Sequence, residues 1–140
     1  MKFLAIDLGL SRTGIAISDD LEMMAIPLKT IRQKNKDKLL NEISELVKVY
    51  NINKIILGLP VNMDGSEGES AKNARLFSEK LFAITGLEVI LQDERVTTVL
   101  AHSYLNNADV KKKKKKDVVD TVSAVIILQN YLDFKKNTSL

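Results

Sequence analysis

The chain has 140 residues, of which 45% are hydrophobic and 28% are charged, a composition typical of one globular domain with a substantial core. It contains no cysteine and one histidine, which excludes disulfides and thiolate metal sites and favours a hard, oxygen-bound ion at any metal site. The net charge is +3, but without six consecutive lysines the count is 15 basic against 18 acidic residues, or −3. The basic character is therefore one local patch, which indicates contact with a polyanion.

Membrane and targeting signals are missing from the sequence. No stretch approaches the roughly 18 apolar residues of a membrane span, and the first apolar run is too short for a signal peptide. There is also no internal repeat and no interior linker. We therefore expect a cytoplasmic protein without a membrane partner, folded as a single domain over residues 1–140.

The first predicted elements are three strands and a helix. Residues 3–6 form a short apolar run, and residues 13–18 alternate as its hairpin partner. Pro27 within the next apolar run favours an edge position for the third strand. Apolar residues then recur at helical spacing through residues 35–51.

A buried strand, a loop and a second helix are predicted next. The apolar run at residues 54–60 ends in a glycine and a proline, and residues 62–68 are rich in turn formers. Ser66 or Ser70 is predicted to cap the helix that follows, and Gly86 is predicted to end it.

The remaining predicted elements are a fifth strand and two helices. The strand is "EVILQDE", and Thr97 or Thr98 is predicted to cap the first helix. The last helix is predicted from near Asp117 to about Phe134 and, because its middle is apolar nearly all round, it is expected to be largely buried. An antiparallel opening followed by crossover helices predicts an α/β fold with a mixed sheet flanked by helices.

Acidic residues stand where ligands of such sheets bind, beyond the carboxyl ends of strands. Asp7 ends the first predicted strand, Asp93 and Glu94 end the fifth, and Asp120 opens the buried last helix. Converging carboxylates need a divalent cation to offset their repulsion, and Mg²⁺ or Mn²⁺ held this way activates water to attack a phosphodiester. Taken singly, each acid fits an ordinary turn, strand exit or helix first turn about equally well.

Basic residues near these acids predict contact with a nucleic-acid backbone. The lysine run leads directly into Asp120, and each phosphate contact would release counterions. Aromatic residues are only 5% of the chain, which favours recognition of backbone and shape over base stacking. A solvated loop is the other interpretation of the lysine run, and a plain hairpin that of the glycine turn around Arg12. The predicted substrate-binding residues are Arg12, Arg95, Asn62, Lys111, Lys112, Lys113, Lys114, Lys115 and Lys116.

Four segments of the chain resemble the YqgF-type family, described as pre-16S ribosomal RNA nucleases and Holliday junction resolvases. They are "AIDLGLSRTGIAISD", "LGLPVNMDGSEGESAKNAR", "LQDERVTT" and "KKDVVDTVSAVIILQNYL", in the family's order over nearly the whole chain. The resemblance implies an RNase H-like fold with a five-stranded mixed sheet, and a metal-dependent site at Asp7, Glu94 and Asp120. The chain departs from the family at Ser11, where a lysine is common, and in a basic segment made of lysine alone, so we expect looser backbone binding.

The predicted function is a metal-dependent nuclease that hydrolyses phosphodiester bonds of structured RNA during maturation of precursor 16S ribosomal RNA. Two alternatives stay open. The same site would cleave branched DNA as a Holliday junction resolvase, which needs two active sites and so favours a dimer. Alternatively, the chain is a non-catalytic RNA-binding factor for ribosome assembly. We expect a monomer or a homodimer, with the loop from Asn62 to Gly68 closing over the substrate.

Overall fold

A five-stranded mixed sheet with helices on both faces forms the body of the molecule in the computed structural model. The structure describes residues 1–94 and 112–138, and within the last helix it describes the side chains of residues 121–137. In chain order the elements are β1 (Phe3–Asp7), β2 (Arg12–Ser18), β3 (Ala25–Arg32), α1 (Lys36–Val49), β4 (Lys54–Leu59), α2 (Glu69–Thr85), β5 (Val89–Asp93) and α3 (Lys112–Thr138). The helix predicted after Thr97 or Thr98 lies outside the described residues. Within the described residues, no helix has the length and apolar character needed to cross a membrane.

The strand order in the sheet is β3-β2-β1-β4-β5. β1, β2 and β3 pair antiparallel, while β4 pairs parallel with both β1 and β5. The predicted hairpin of the first two strands and the edge position of the third are confirmed, with Pro27 in the edge strand, where a missing N–H is tolerated. The carboxyl ends of β1, β4 and β5, which we call the rim, therefore meet at one edge of the sheet.

Alternation along the strands divides the apolar side chains between two faces of the sheet. The two-helix face, which packs against α1 and α2, buries Leu4, Ile6, Ile15, Ile55 and Leu57 against Leu39, Ile43, Ala74, Phe77 and Leu81. The single-helix face, which packs against α3, buries Phe3, Ala5, Ala16 and Ile56 against Ala124, Ile127, Leu128 and Leu132. Asp7 comes two residues after Ala5 in β1, so its side chain belongs to the single-helix face.

The second helix has a glycine cap residue at each end. Its N-cap residue is Gly68, with no side-chain capping bond, so the prediction of Ser66 or Ser70 as the cap is wrong. The hydroxyl of Ser66 instead donates to Oδ1 of Asp64 at 2.6 Å, within the preceding loop. The predicted end at Gly86 is confirmed, because this residue adopts a left-handed conformation with φ of 71°.

The last helix is longer than predicted. It begins at Lys112 and not near Asp117, and it ends at Thr138 and not at about Phe134, because lysine is a good helix former and a packed helix extends more easily than a new one starts. Its expected burial is confirmed in part, since one stripe is buried while the flanking valines are half-buried. The buried residues of this stripe are Ser123, Ala124, Ile127, Leu128 and Leu132.

Hydrogen bonds to β3 fix the position of α3 across the sheet. The hydroxyls of Thr30 and Thr121 are 2.9 Å apart near the carboxyl end of β3. At the start of the same strand, Oε1 of Gln129 accepts from the amide of Ala25 at 2.9 Å. α3 therefore runs antiparallel to β3 and β1, and its Thr121 end lies on the rim side of the sheet.

Candidate active site at the rim of the sheet

Two of the three predicted acids meet at the rim. Asp7 is the last residue of β1, and Glu94 directly follows β5, where its amide donates to the carbonyl of Leu59 in β4 at 3.2 Å. β4 lies between β1 and β5, and the side chain of Glu94 crosses it to form a hydrogen bond with the carboxyl group of Asp7. The structure thus brings these two residues together; their role as metal ligands stays a prediction.

Burial controls the ionisation of Glu94. Removal from water raises the pKa of its carboxyl group, and the negative charge of Asp93 adds to the rise, while the hydrogen bond with Asp7 opposes it. A hydrogen bond between two carboxyl groups requires a proton on one of them. The pair is therefore suited to exchange this proton for a cation.

The third predicted acid, Asp120, lies in α3, and its side chain lies outside the described ones. Its neighbour Thr121 bonds to Thr30, and Thr30, Gly14 and Asp7 are register partners on three adjacent strands. The backbone of residue 120 is therefore at the level of Asp7 along the sheet. Among the side chains of residues 1–94 and 121–137, no group of three acidic or histidine residues could hold a metal ion, so a three-acid cluster depends on residue 120 and stays a prediction.

The glycine turn between β1 and β2 is held by a lysine. A Cβ atom on Gly9 would collide with the carbonyl oxygen of Arg12, so the turn closes only around glycine. Nζ of Lys36, at the start of α1, donates to the carbonyl of Gly9 at 2.5 Å and lies 3.4 Å from that of Leu10. Partial burial lowers the pKa of Lys36. This contact joins elements distant in sequence, so no sequence pattern indicated it.

A basic cleft adjoins the turn. It has a volume of about 480 Å³, and its lining residues are Ser11, Arg12, Arg32, Gln33 and Lys34. Arg12 and Arg32 are register partners on β2 and β3, which places two guanidinium-bearing residues side by side with a lysine close by. The sequence indicated Arg12 but not its basic neighbours, because the β2–β3 register contains an irregularity between Ile15 and Ala16 that alternation alone does not predict.

The predicted substrate loop is ordered by its own hydrogen bonds. The amide and Nδ2 of Asn62 donate to the carbonyl and hydroxyl of Ser66 at 2.9 and 3.0 Å. Nε and Nη2 of Arg75 bind the two carboxylate oxygens of Glu67 at 2.7 and 2.8 Å. Closure of this loop over a substrate and the binding role of Asn62 stay predictions.

The other predicted binding residues fall where their side chains are not described. Arg95 and Lys111 lie outside the described residues. Lys112 to Lys116 form the first turns of α3, with side chains outside the described ones. Their contact with substrate stays a prediction.

Comparison with known proteins identifies close sequence relatives. A family model described as "RuvX: Holliday junction resolvase" matches residues 1–134. A Bacillus cytotoxicus protein named "Putative pre-16S rRNA nuclease" is 44% identical over 137 residues, 96% of this chain and 100% of that protein. A Clostridioides difficile protein of the same name is 41% identical over 137 residues, 98% of this chain and 97% of that protein.

Solved structures share the fold. Thermus thermophilus RuvC in complex with a Holliday junction substrate has a TM-score of 0.63 at 11% identity, covering 99% of this chain and 97% of that one. The fowlpox virus resolvase with its Holliday junction DNA has a TM-score of 0.55 at 14% identity, covering 96% and 99%. This likeness shows the fold alone and confirms the predicted RNase H-like architecture. The sequence relatives confirm the predicted enzyme class, a nuclease that hydrolyses phosphodiester bonds. The chain belongs to the RuvX family of Holliday junction resolvases, the family that its motifs resembled.

Proposed function

We propose that this nuclease cleaves precursor 16S ribosomal RNA in a reaction that needs a divalent cation held by Asp7, Glu94 and Asp120. The observation that carries the proposal is the hydrogen bond between the carboxyl groups of Asp7 and Glu94 across β4. Carboxylate oxygens are the ligands that Mg²⁺ and Mn²⁺ prefer. The substrate is taken from the name of the relatives that are 41% and 44% identical.

The acidic residues of the rim have defined roles in the proposed reaction. A bound divalent cation supplies positive charge at the phosphate oxygens and lowers the pKa of water. Asp7 would hold the cation from the end of a buried strand, and Glu94 would hold it from a half-buried position. Because burial raises the pKa of the Glu94 carboxyl group, this residue would have to lose its proton to hold the cation, and cation affinity is expected to rise with pH.

The basic cleft supports binding through the phosphate backbone. Arg12 and Arg32 are register partners on β2 and β3 and line this cleft together with Lys34. The guanidinium group of an arginine binds phosphate with two parallel hydrogen bonds. The six lysines from Lys111 to Lys116 add positive charge to the chain, so binding is expected to weaken as salt rises.

A four-way DNA junction is the second candidate substrate, favoured by the description of the matching family model. Carboxylate-held cations act on the phosphate and are indifferent to the 2′-hydroxyl that separates RNA from DNA. Symmetric cleavage of a junction needs two active sites, so this candidate also requires a stable homodimer.

One experiment separates these candidates. The protein is incubated with precursor 16S ribosomal RNA and with a four-way DNA junction, with and without Mn²⁺. We expect cleavage of the RNA that depends on Mn²⁺. In Asp7→Asn, cleavage should fall by about 10²–10⁴-fold, the equivalent of several kcal/mol in the barrier, with RNA binding retained.

The matched control is Asp20→Asn, because the side chain of Asp20 is 93% exposed and contacts Lys2, away from the rim. Cleavage of the junction with none of the RNA would overturn the proposed substrate. Undiminished cleavage by Asp7→Asn would overturn the proposed site.

The salt dependence of RNA binding tests the lysine run. Replacing Lys111 to Lys116 with glutamine should flatten the plot of log affinity against log salt, since each lost phosphate contact removes about 0.7–0.9 from the slope. Lys136→Gln, an exposed lysine at the far end of α3, is the control and should leave the slope unchanged. An unchanged slope in the six-lysine variant would exclude the run as a contact.

A further inference from the structure

Gly58 occupies an unusual place in the interior of β4. It pairs with Gln92 of β5 and lies beside Asp7, since Ile6 of β1 is the register partner of Leu57. Glycine weakens a strand interior, and its presence there often marks a close approach by another group. Its φ is not in the left-handed region, where only Gly65 and Gly86 are found among the described glycines. Backbone conformation therefore does not explain why residue 58 is a glycine.

The space next to Gly58 is filled by two side chains. A Cβ atom at this position would collide with Oε2 of Glu94, and it would lie 3.3 Å from Cδ of the same residue. It would also lie 2.8 Å from Cδ1 of Ile127, a fully buried residue of α3. The carboxyl group of Glu94 thus occupies the volume that a side chain at residue 58 would fill, beneath α3.

We propose that Gly58 is a positioning residue for Glu94, because the notch that it leaves in β4 lets the Glu94 carboxyl group cross the strand and reach Asp7. The inference rests on the proposed function, in which Glu94 is a cation ligand. Asp7 projects on the same face of the sheet as the notch, so the path across residue 58 is the path between the two acids. A larger residue would turn the carboxyl group of Glu94 away from Asp7.

An alanine at this position should be tolerated by the fold. Both groups that it would displace are the far ends of flexible side chains, and the half-buried carboxyl group of Glu94 can turn towards water. Ile127 can adjust within the apolar cluster of the single-helix face. The expected consequence is therefore a folded protein with its two acids separated.

The test compares Gly58→Ala with Gly58→Ala/Ile127→Val. The second variant lacks Cδ1 of residue 127, which relieves the contact with α3 but leaves the collision with Glu94. Mn²⁺ affinity is measured by calorimetry, cleavage is measured with precursor RNA, and a urea titration reports stability. We expect about 10–100-fold weaker Mn²⁺ binding in both variants, partial recovery of cleavage at high Mn²⁺, and a similar urea midpoint. Ile127→Val alone should bind Mn²⁺ normally.

Two results would overturn the inference: normal Mn²⁺ affinity in Gly58→Ala, or recovery of affinity when Ile127→Val is added. The first would show that Glu94 does not need the notch, and the second would show that the effect is packing against α3. As a further check, Gly58→Ala should weaken Mn²⁺ binding no more when Glu94→Gln is already present, because residue 58 acts through residue 94.

A crystal structure of Gly58→Ala separates failure of this inference from failure of the proposed function. The Glu94 carboxyl group should be displaced from Asp7 whatever the cation affinity. If Asp7 and Glu94 were still hydrogen-bonded in the variant, the proposed positioning role of Gly58 would be overturned. Normal Mn²⁺ binding and cleavage by Glu94→Gln would instead overturn the proposed cation site.

Discussion

On the two-helix face of the sheet, α1 and α2 cover strand residues that are mainly leucine and isoleucine, whereas on the single-helix face α3 covers a surface that becomes polar towards the rim. The buried residues of the single-helix face include Ala5 and Ala16 in place of larger side chains. Asp7 and Glu94 are acidic residues of this face at the rim.

The two faces therefore have different roles: the two-helix face mainly stabilises the fold, and the single-helix face carries the acids of the candidate site. Apolar burial is strong but not directional, so the two-helix face can stabilise the fold without placing any atom accurately. Hydrogen bonds require defined distances and angles, and on the single-helix face they fix one helix against the sheet. The side chains that need accurate placement lie on the face that contributes fewer large apolar residues.

The two ends of α3 are held in different ways. Far from the rim, the rings of Phe3 and Tyr131 pack edge to face with centroids 5.4 Å apart. Nζ of Lys135 lies 4.9 Å from the centre of the Phe3 ring and donates to Glu22 at 2.6 Å. Near the rim, the hydroxyls of Thr30 and Thr121 are 2.9 Å apart. A polar contact between side chains thus helps to hold the end of α3 that carries Asp120.

The largest effect on stability is expected on the two-helix face. Ile43→Ala removes a fully buried side chain of α1 and should lower the free energy of unfolding by about 2–5 kcal/mol. The Mn²⁺ affinity of the folded protein should not change. Urea unfolding and Mn²⁺ titration measure the two quantities, with Val49→Ala, an exposed position on α1, as the control. A large loss of Mn²⁺ affinity in Ile43→Ala would contradict the separation of the faces.

A gain in stability is expected at the rim. Burial raises the pKa of Glu94 above its ordinary value, so its charged form disfavours the folded state near pH 7. Glu94→Gln should therefore raise the free energy of unfolding by an amount on the order of 1 kcal/mol in cation-free buffer, while cleavage is lost. The gain over the natural protein should shrink as pH falls, because residue 94 is then uncharged in both proteins.

Urea titrations at pH 7 and pH 4 measure this gain. Glu42→Gln, an exposed residue of α1, is the control, with no comparable gain expected. A loss of stability in Glu94→Gln at pH 7 would mean that this carboxylate stabilises the fold, and the contrast between the faces would then weaken.

An effect of similar size, but a loss of stability, is expected where α3 meets β3. Thr30→Val keeps the shape of the side chain but removes the hydroxyl that contacts Thr121, and it should lower the free energy of unfolding by about 1 kcal/mol. Hydrogen exchange should accelerate in α3 around Thr121 more than around Leu132. Thr85→Val removes a hydroxyl that bonds within α2 and should leave exchange in α3 unchanged. Equal acceleration along α3 would contradict the polar anchoring of its rim end.

The smallest effect concerns the far end of α3. A hydrogen bond from Lys135 lowers the pKa of Glu22, partly opposed by burial. Because the pKa is lower in the folded state, the contribution to stability is present above the pKa of the unfolded chain and is lost as pH falls through the folded value. For this partly exposed pair it should be a few tenths of a kcal/mol. Urea midpoints of the natural protein and Glu22→Gln should differ at pH 7 and converge near pH 3; a difference independent of pH would exclude this ion pair as its source.

Much of the fold could be predicted from local patterns. Apolar alternation and Pro27 predicted the hairpin and the edge strand, because each depends on residues close in the chain. The end of α2 at Gly86 was predicted for the same reason. The cap of α2 was not, because the hydroxyl of Ser66 has a competing partner in Asp64. The start of α3 was also missed, since a run of like charges does not reveal that its lysines continue a packed helix.

The sequence by itself determined the nuclease family, the parallel strand ends and the acids that stand at them, because motifs, periodicity and strand termini are local properties of the chain. Only the tertiary structure decided that Glu94 crosses β4 to Asp7, that Gly58 leaves room for this crossing, and that Arg32 lies beside Arg12. These contacts join distant segments. Their existence depends on strand register and on the space left between packed side chains, which no short stretch of sequence contains.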